Sequence, residues 1–536
     1  MQSSDDHLPP SSPIRGSIKS LKSLSLSHHR ERSLPPVPNK DKLGFYVLFH
    51  QPQPVPVVRD VLLECGWNLI SLEEYEKKDK IEMKGLLIWR NTRHVASIFK
   101  KAMENPNCYR VNHFRHSQII TRKDSLARAM RSLVAMNKAL FRSVHPTTYI
   151  LPSEYTKFVK QYQKKLANTD DESNLPIWIV KPTDLSRGRK IFLLQKLEDL
   201  VYDYPCVIQR YLQQPYLIGG YKNDLRIYVL VTSCHPFEVY LYKEGIVRFS
   251  TQKYFTEVSR NNKDLCYGNA MSKVLSKDIK KEKPKQKLKL DNLFSHLTNS
   301  SINKDSPTLH ANKNVIGQGS KWSFETLQKH FISEGLDYVE LWDKIRVLVL
   351  STLLPLLDAV PLSSRPSQFE LFGFDVMLNG LRLRPVVLEV NCAPALRLDG
   401  SKVDERIKPA LIRDMISVLD FPNIVKKSKM KAKKRHLFER SNRRSSSSSG
   451  NNGANIKNGK EKCKENKISS SIFPLPLKEI GQFEQIFPFD KKSHETSLHL
   501  SKPQVVGTAK AKTFIKEISS QLLQLQLKLS GDKKLQ

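Results

Sequence analysis

No two cysteines in this 536-residue chain stand in a CxxC spacing; the seven thiols are scattered at positions 65, 108, 206, 234, 266, 392 and 463. That scatter argues against a structural zinc site and against a disulfide framework. It points to reduced thiols in a cytosolic setting. Long apolar runs are also missing. None approaches the roughly 18 residues of a membrane-crossing helix, so no span is expected. The N-terminus is polar and rich in Ser and Pro, unlike a secretory signal. No internal repeat is evident. Acidic residues are scarce: 53 Asp and Glu stand against 88 Lys and Arg, a formal net charge of +35. Such an excess predicts an acidic partner: nucleic acid, an anionic membrane or an acidic polypeptide. Aromatic residues are not interleaved with the basic runs, which argues against single-stranded nucleic acid.

What is present divides the chain. Residues 1–40 are rich in Ser, Pro and basic residues and are expected to be disordered. Order is expected from Leu43, with a small α/β region over about 43–120. Apolar spacing around Lys123–Leu133 predicts a helix. Strand-like segments follow at 177–180, 191–194, 206–209, 226–232 and 237–242. So many strands with few long helices between them predict a mainly antiparallel sheet. Residues 272–290 carry eight lysines and two acids, the pattern of a solvated insertion or a contact for an acidic partner. Helices are expected over about 322–360, and order is expected to end near 422. Residues 426–444 hold ten Lys or Arg and one acid, and Ser445–Ser449 follow. The segment 423–536 therefore reads as a basic, mostly disordered tail with a short helix near 512–529.

Phe369–Asn391 carries the strongest chemical signal. Two apolar runs flank a turn, and Asp375, Glu389 and Asn391 lie near their ends. All three offer oxygen, which Mg²⁺ prefers. Glu389 and Asn391 are two apart, so on a strand they share a face. A tight Asn379-Gly380 turn would set Asp375 opposite Arg384 and leave Glu389 roughly 16 Å away. Asp375 and Glu389 meet only if the bend centres near Arg382, so a wider loop closed by Pro385 is predicted. The segment then reads as a magnesium–phosphate site; the alternative is a hairpin with two solvated acids.

Other segments offer matching groups. In Trp178-Ile-Val-Lys181-Pro-Thr-Asp-Leu-Ser-Arg187-Gly188-Arg189, a lysine leaves a strand and a flexible basic loop follows. Lysine can hold phosphate as a point charge, and the loop can present N–H groups and guanidinium. The loop is not a Walker A motif, and alone it could be a basic turn. Gln209-Arg210-Tyr211-Leu212 leaves another strand where an adenine could slot against backbone. Lys222, Asp224 and Arg226 alternate with Leu225 and Ile227, so the three charges share one face, as a solvated face or an active-site wall. Arg248 sits in an apolar β-like run and could form a surface ion pair or grip a carboxylate in a fork. His296–Lys304 packs hydroxyl, amide and ammonium groups densely; capping and turns are the plain explanation.

In order, Ile-Val-Lys-Pro, Ser-Arg-Gly-Arg, Gln-Arg-Tyr-Leu, Asp-Leu-Arg-Ile-Tyr-Val-Leu-Val, His-Leu-Thr-Asn, Phe-Gly-Phe-Asp and Leu-Glu-Val-Asn resemble the tubulin tyrosine ligase-like family over about Leu43–Pro422. The resemblance implies an α+β, ATP-grasp fold: an N-terminal part over 43–120, a central part over 121–220 and a C-terminal antiparallel-sheet part over 221–422. It implies ligation of an amino acid to a protein carboxylate. ATP would meet Lys181, Arg187, Gly188, Gln209, Arg210, Tyr211, Leu212, Lys222, Asn223, Asp224, Thr298 and Asn299. Mg²⁺ would meet Asp375, Glu389 and Asn391. Arg248, Ser301 and Lys321 would meet the incoming amino acid, with Lys408 a looser match. Arg187, Arg248 and Glu389 would serve the chemistry. Arg248 suits free glutamate, whose second carboxylate needs a partner. The implied acceptor is the acidic tubulin tail on microtubules, with activating protein subunits as further partners. The implied setting is the cytoplasm and cytoskeleton, with cilium, flagellum or basal body as narrower places. Alternatives are a glycine or tyrosine ligase and a non-catalytic microtubule-binding protein. Three positions depart from the family's usual pattern: Lys190 replaces a glycine, Ser300 a tyrosine, and Cys392-Ala-Pro-Ala stands where His-Ser-Pro-Ser is usual.

Overall fold

The computed structural model describes residues 45–49, 55–76, 85–94, 108–170, 175–185, 188–254, 290–303, 321–361, 367–420, 478–490 and 508–530, with a few isolated positions between them. Four short strands come first: β1 (Phe45–Phe49), β2 (Asn68–Ile70), β3 (Gly85–Trp89) and β4 (Cys108–Asn112). They pair in parallel. Next, β5 (Thr148–Leu151), β6 (Trp178–Pro182), β7 (Phe192–Leu194) and β8 (Cys206–Arg210) form a separate antiparallel sheet in the order β5-β8-β6-β7. Helix Tyr155–Leu166 covers it with Phe158 and Tyr162. The remaining strands are β9 (Leu217–Ile218), β10 (Tyr221–Cys234), β11 (Phe237–Lys253), β12 (Lys321–Ser323), β13 (Ser367–Asn379), β14 (Arg384–Asn391), β15 (Glu479–Ile480) and β16 (Phe483–Phe487).

The long strands do not form a sheet of their own. β13 pairs antiparallel with β10 but in parallel with β4, through Ser367 opposite Arg110. The result is one large mixed sheet, β15-β16-β11-β10-β13-β4-β3-β1-β2, in a mixed α/β fold. The antiparallel C-terminal strands are thus not a separate sheet: the N-terminal parallel strands continue it. Alternation along β10 explains the core. Leu225, Ile227, Val229 and Val231 face one cluster, under helices Lys123–Met136, Phe324–Ser333 and Tyr338–Leu353. Tyr228 and Leu230 face the other, under Pro56–Glu64 and Lys402–Leu419. The second half of helix Tyr338–Leu353, residues 347–353, is buried on every side because other elements pack around it; Asp337 caps the helix, accepting from Glu340 N at 3.0 Å.

Two segments past Pro422 belong to this body, where a mostly disordered tail is expected. β16 pairs with β11, covering an edge that would otherwise be open. Helix Thr508–Ser530 buries Phe514, Ile518 and Leu522 in the main core. Buried Glu484 fixes the junction, accepting from Trp342 Nε1 at 2.8 Å and from Arg346 Nε and Nη2 at 3.0 and 2.7 Å. The insertion 272–289, residues 1–40 and the basic run 426–444 lie outside the described residues.

Candidate active site

The turn between β13 and β14 spans Gly380–Leu383, and Asp375 stands directly opposite Glu389. The wide loop expected from the sequence is present, though β14 begins at Arg384, one residue before Pro385. A register shift beside Asp375 lets Leu388 bulge; without it Asp375 would face Leu388. The strand pair thus presents two carboxylates to a cleft between the two sheets. β6 and β8 form the other wall, contributing Lys181 and Gln209.

In the first half of β10, Lys222 and Asp224 line the cleft, with Arg226 next along the strand. Arg226 grips Asp375 in a fork, Nε to Oδ1 at 2.7 Å and Nη2 to Oδ2 at 3.1 Å. Arg248, on β11, grips Asp224 at 2.6 and 2.8 Å and also reaches Asp375 Oδ2 at 2.9 Å. Thr298 donates to Asp224 from the facing loop. Asn391 Nδ2 donates to Gly373 O at 3.3 Å, beside Asp375. Burial alone would push the Asp375 carboxyl up; Arg226 and Arg248 outweigh it and hold the group well below the usual carboxylate range.

The lysines are tuned the other way. Burial pushes Lys181 down to about 8 and Lys222 down to about 7, the latter further depressed by Lys181. Lys181 Nζ donates to Gln209 Oε1 at 2.8 Å. Lys222 Nζ donates to Tyr211 OH at 2.7 Å, and that hydroxyl lies 2.8 Å from His296 Nδ1. Such cations need an anion to pay for their burial.

Other expected positions sort by face. Gly188 has φ +75°, the left-handed region that favours glycine, and a Cβ there would push against the tip of the Ile302 side chain. Arg210, Leu212 and Asn299 line the cleft, and the Arg210 guanidinium lies over the Trp178 ring at 5.8 Å. The Asn223 side chain points away from the cleft, donating to Tyr216 O at 3.0 Å, because strand alternation puts it opposite Lys222 and Asp224. Lys321 neighbours Arg248 in the β11–β12 register, but its ammonium is held by Asp399 and by Asp404 at 2.6 Å. Lys408 joins the same cluster, 2.9 Å from Asp404. Arg187 and the side chain of Ser301 lie outside the described residues. Lys190 takes φ +55°, a left-handed conformation that suits the glycine usual at this position. Two groups carry no local sequence signal: Lys123 lines the cleft and His145 stands behind Gln209. Lys123 opens its helix and reaches Leu185 O at 2.9 Å and Glu389 Oε2 at 3.8 Å. His145, just before β5, contacts Gln209 at 3.1 Å.

Cations converging on opposed carboxylates between two sheets define a site for anionic, phosphate- or carboxylate-bearing ligands. The chain belongs to the tubulin-tyrosine ligase family, whose sequence profile matches residues 101–287 and 279–431. It is 35% identical over 367 residues to the "Probable tubulin polyglutamylase TTLL2" of Homo sapiens, covering 68% of this chain and 54% of that protein. It is 32% identical over 396 residues to the "Probable beta-tubulin polyglutamylase" of Tetrahymena thermophila, covering 71% and 29%. With the "Tubulin polyglutamylase ttll6" of Danio rerio, identity is 29% over 438 residues, covering 80% and 50%. The match thus spans about half or less of these relatives.

Proposed function

We propose that this chain is an ATP- and Mg²⁺-dependent ligase of ATP-grasp type. It would join glutamate to the γ-carboxylate of glutamates in the C-terminal tail of tubulin, starting the side chain. The observation that carries this reading is the meeting of Lys181, Lys222 and Arg248 with opposed Asp375 and Glu389 in one cleft. The polyglutamylase names of the relatives support the substrate, and the +35 charge suits an acidic tail. The setting that follows is the cytoplasmic microtubule cytoskeleton. Among the described residues, no helix is long and apolar enough to cross a membrane.

A carboxylate is a poor electrophile. Transfer of the γ-phosphoryl group to its oxygen gives an acyl phosphate; the amine of the second glutamate attacks the acyl carbon, and phosphate leaves. Lys181 and Lys222 would hold phosphate and nucleotide, with the base against the strand edge at Gln209–Leu212. Arg248 would take a carboxylate of the incoming amino acid, exchanging its present partner Asp224. Asp375, Glu389 and Asn391 are an all-oxygen donor set that fits Mg²⁺, which keeps water and phosphate oxygens among its ligands. Among the described residues, no three His, Cys, Asp or Glu side chains gather for a metal, so the amide would be the third donor. Bound there, the ion supplies charge neutralisation on the phosphates.

The test is incubation with ATP, Mg²⁺, labelled glutamate and microtubules, beside Glu389→Gln. Label transferred only by the unmutated chain is expected. Equal transfer by the variant would remove the metal-site argument, and incorporation of glycine alone would overturn the choice of amino acid.

A further inference from the structure

Gln209 lies buried in β8 with partners at both ends of its side-chain amide. Its Oε1 accepts from Lys181 Nζ at 2.8 Å, and its Nε2 lies 3.1 Å from His145 Nε2 and 3.0 Å from Thr148 Oγ1. An ammonium has only hydrogens to offer, so the amide oxygen must face Lys181. The NH₂ then faces His145 and Thr148, and both must accept.

The turn into β5 arranges this. The Thr148 hydroxyl donates to Pro146 O at 2.8 Å, leaving its lone pairs for Gln209. With its Nε2 set against the Gln209 NH₂, the neutral His145 ring must accept there. Its other ring nitrogen therefore carries the hydrogen, and Nε2 keeps its lone pair. Burial, with the charge of Lys181, pushes this imidazole down to about 3, so it stays neutral. Two acceptors are thus aimed at one NH₂. A flipped Gln209 would set NH₂ against the ammonium and oxygen against two lone pairs.

We propose that His145 is a positioning residue that, through Gln209, holds the Lys181 ammonium at the phosphate end of the cleft. The contact orders a flexible lysine before its ligand arrives, which lowers the cost of binding. This inference rests on the reading of Lys181 as a phosphate holder.

Affinities for ATP and for adenosine, with thermal midpoints, test it on the full chain. Lys181→Met should weaken ATP and leave adenosine unchanged. His145→Leu should weaken ATP about tenfold, again without touching adenosine. His145→Gln, whose amide oxygen can replace Nε2, should recover to within about threefold. Gln209→Leu removes the same contact independently and should weaken ATP by a similar factor. Full ATP affinity in both His145→Leu and Gln209→Leu, beside a weakened Lys181→Met, would overturn the positioning role alone. Equal loss of ATP and adenosine in His145→Leu would mean a merely structural histidine and would also overturn it. Undiminished ATP binding by Lys181→Met would overturn the underlying reading of the cleft.

Discussion

At the scale of single residues, the cleft stores unfavourable charge that an anion would relieve. Lys181 and Lys222 titrate near 8 and 7 because burial disfavours their charged forms. A bound phosphate favours those forms and raises both values. ATP binding at pH 8 should therefore take up protons, and affinity should fall as pH rises from about 7 to 9. Calorimetry in buffers of different ionisation enthalpy reads the uptake; proton release on binding would contradict it. Lys190 gives a second prediction. It holds φ +55° with an exposed side chain, its ammonium 3.7 Å from exposed Asp203. Lys190→Gly should stabilise the fold by roughly 1 kcal/mol, read as a higher unfolding midpoint. Several of these roles were legible from residue type and spacing alone: the alternation of Lys222, Asp224 and Arg226, and the need for Asp375 to meet Glu389. Lys123 and His145 were not, because each reaches the cleft only through tertiary contact.

At the scale of elements, pairing across long sequence gaps decides what sequence patterns cannot. The hairpin register depended on one bulge at Leu388, and only a bend centred near Arg382 satisfies it. The parallel pairing of β13 with β4 left no local trace, since β-strand propensity is the same for either neighbour. β16 was hidden for another reason: it is five residues long, carries an acid and a glutamine, and follows a polar, low-complexity stretch. Its place is set by Glu484 meeting Trp342 and Arg346. Glu484→Ala would leave the Trp342 indole N–H without its acceptor and Arg346 with Asp343 alone, at a cost of about 2–3 kcal/mol. Urea unfolding should show that loss, with Lys329→Ala, an exposed ion-pair partner of Glu325, nearly neutral.

At the scale of the whole molecule, the C-terminal segment is part of the structural body. Removing residues 478–536 would open the edge of β11 and uncover core contacts made by Phe514, Ile518 and Leu522. Such a truncation should aggregate on expression, whereas a dispensable tail would leave a soluble protein with an unchanged midpoint. The charge excess acts at the same scale. Microtubule affinity should fall steeply between low and physiological salt, as expected for long-range attraction to acidic tails.

The central claim is that one cleft uses ATP to activate a carboxylate. Tubulin carrying ¹⁸O in its tail carboxylates tests it most directly. If an acyl phosphate forms and the amine displaces phosphate, one ¹⁸O per glutamate joined should leave in inorganic phosphate. Glutamate joined with no ¹⁸O in the released phosphate would contradict the account.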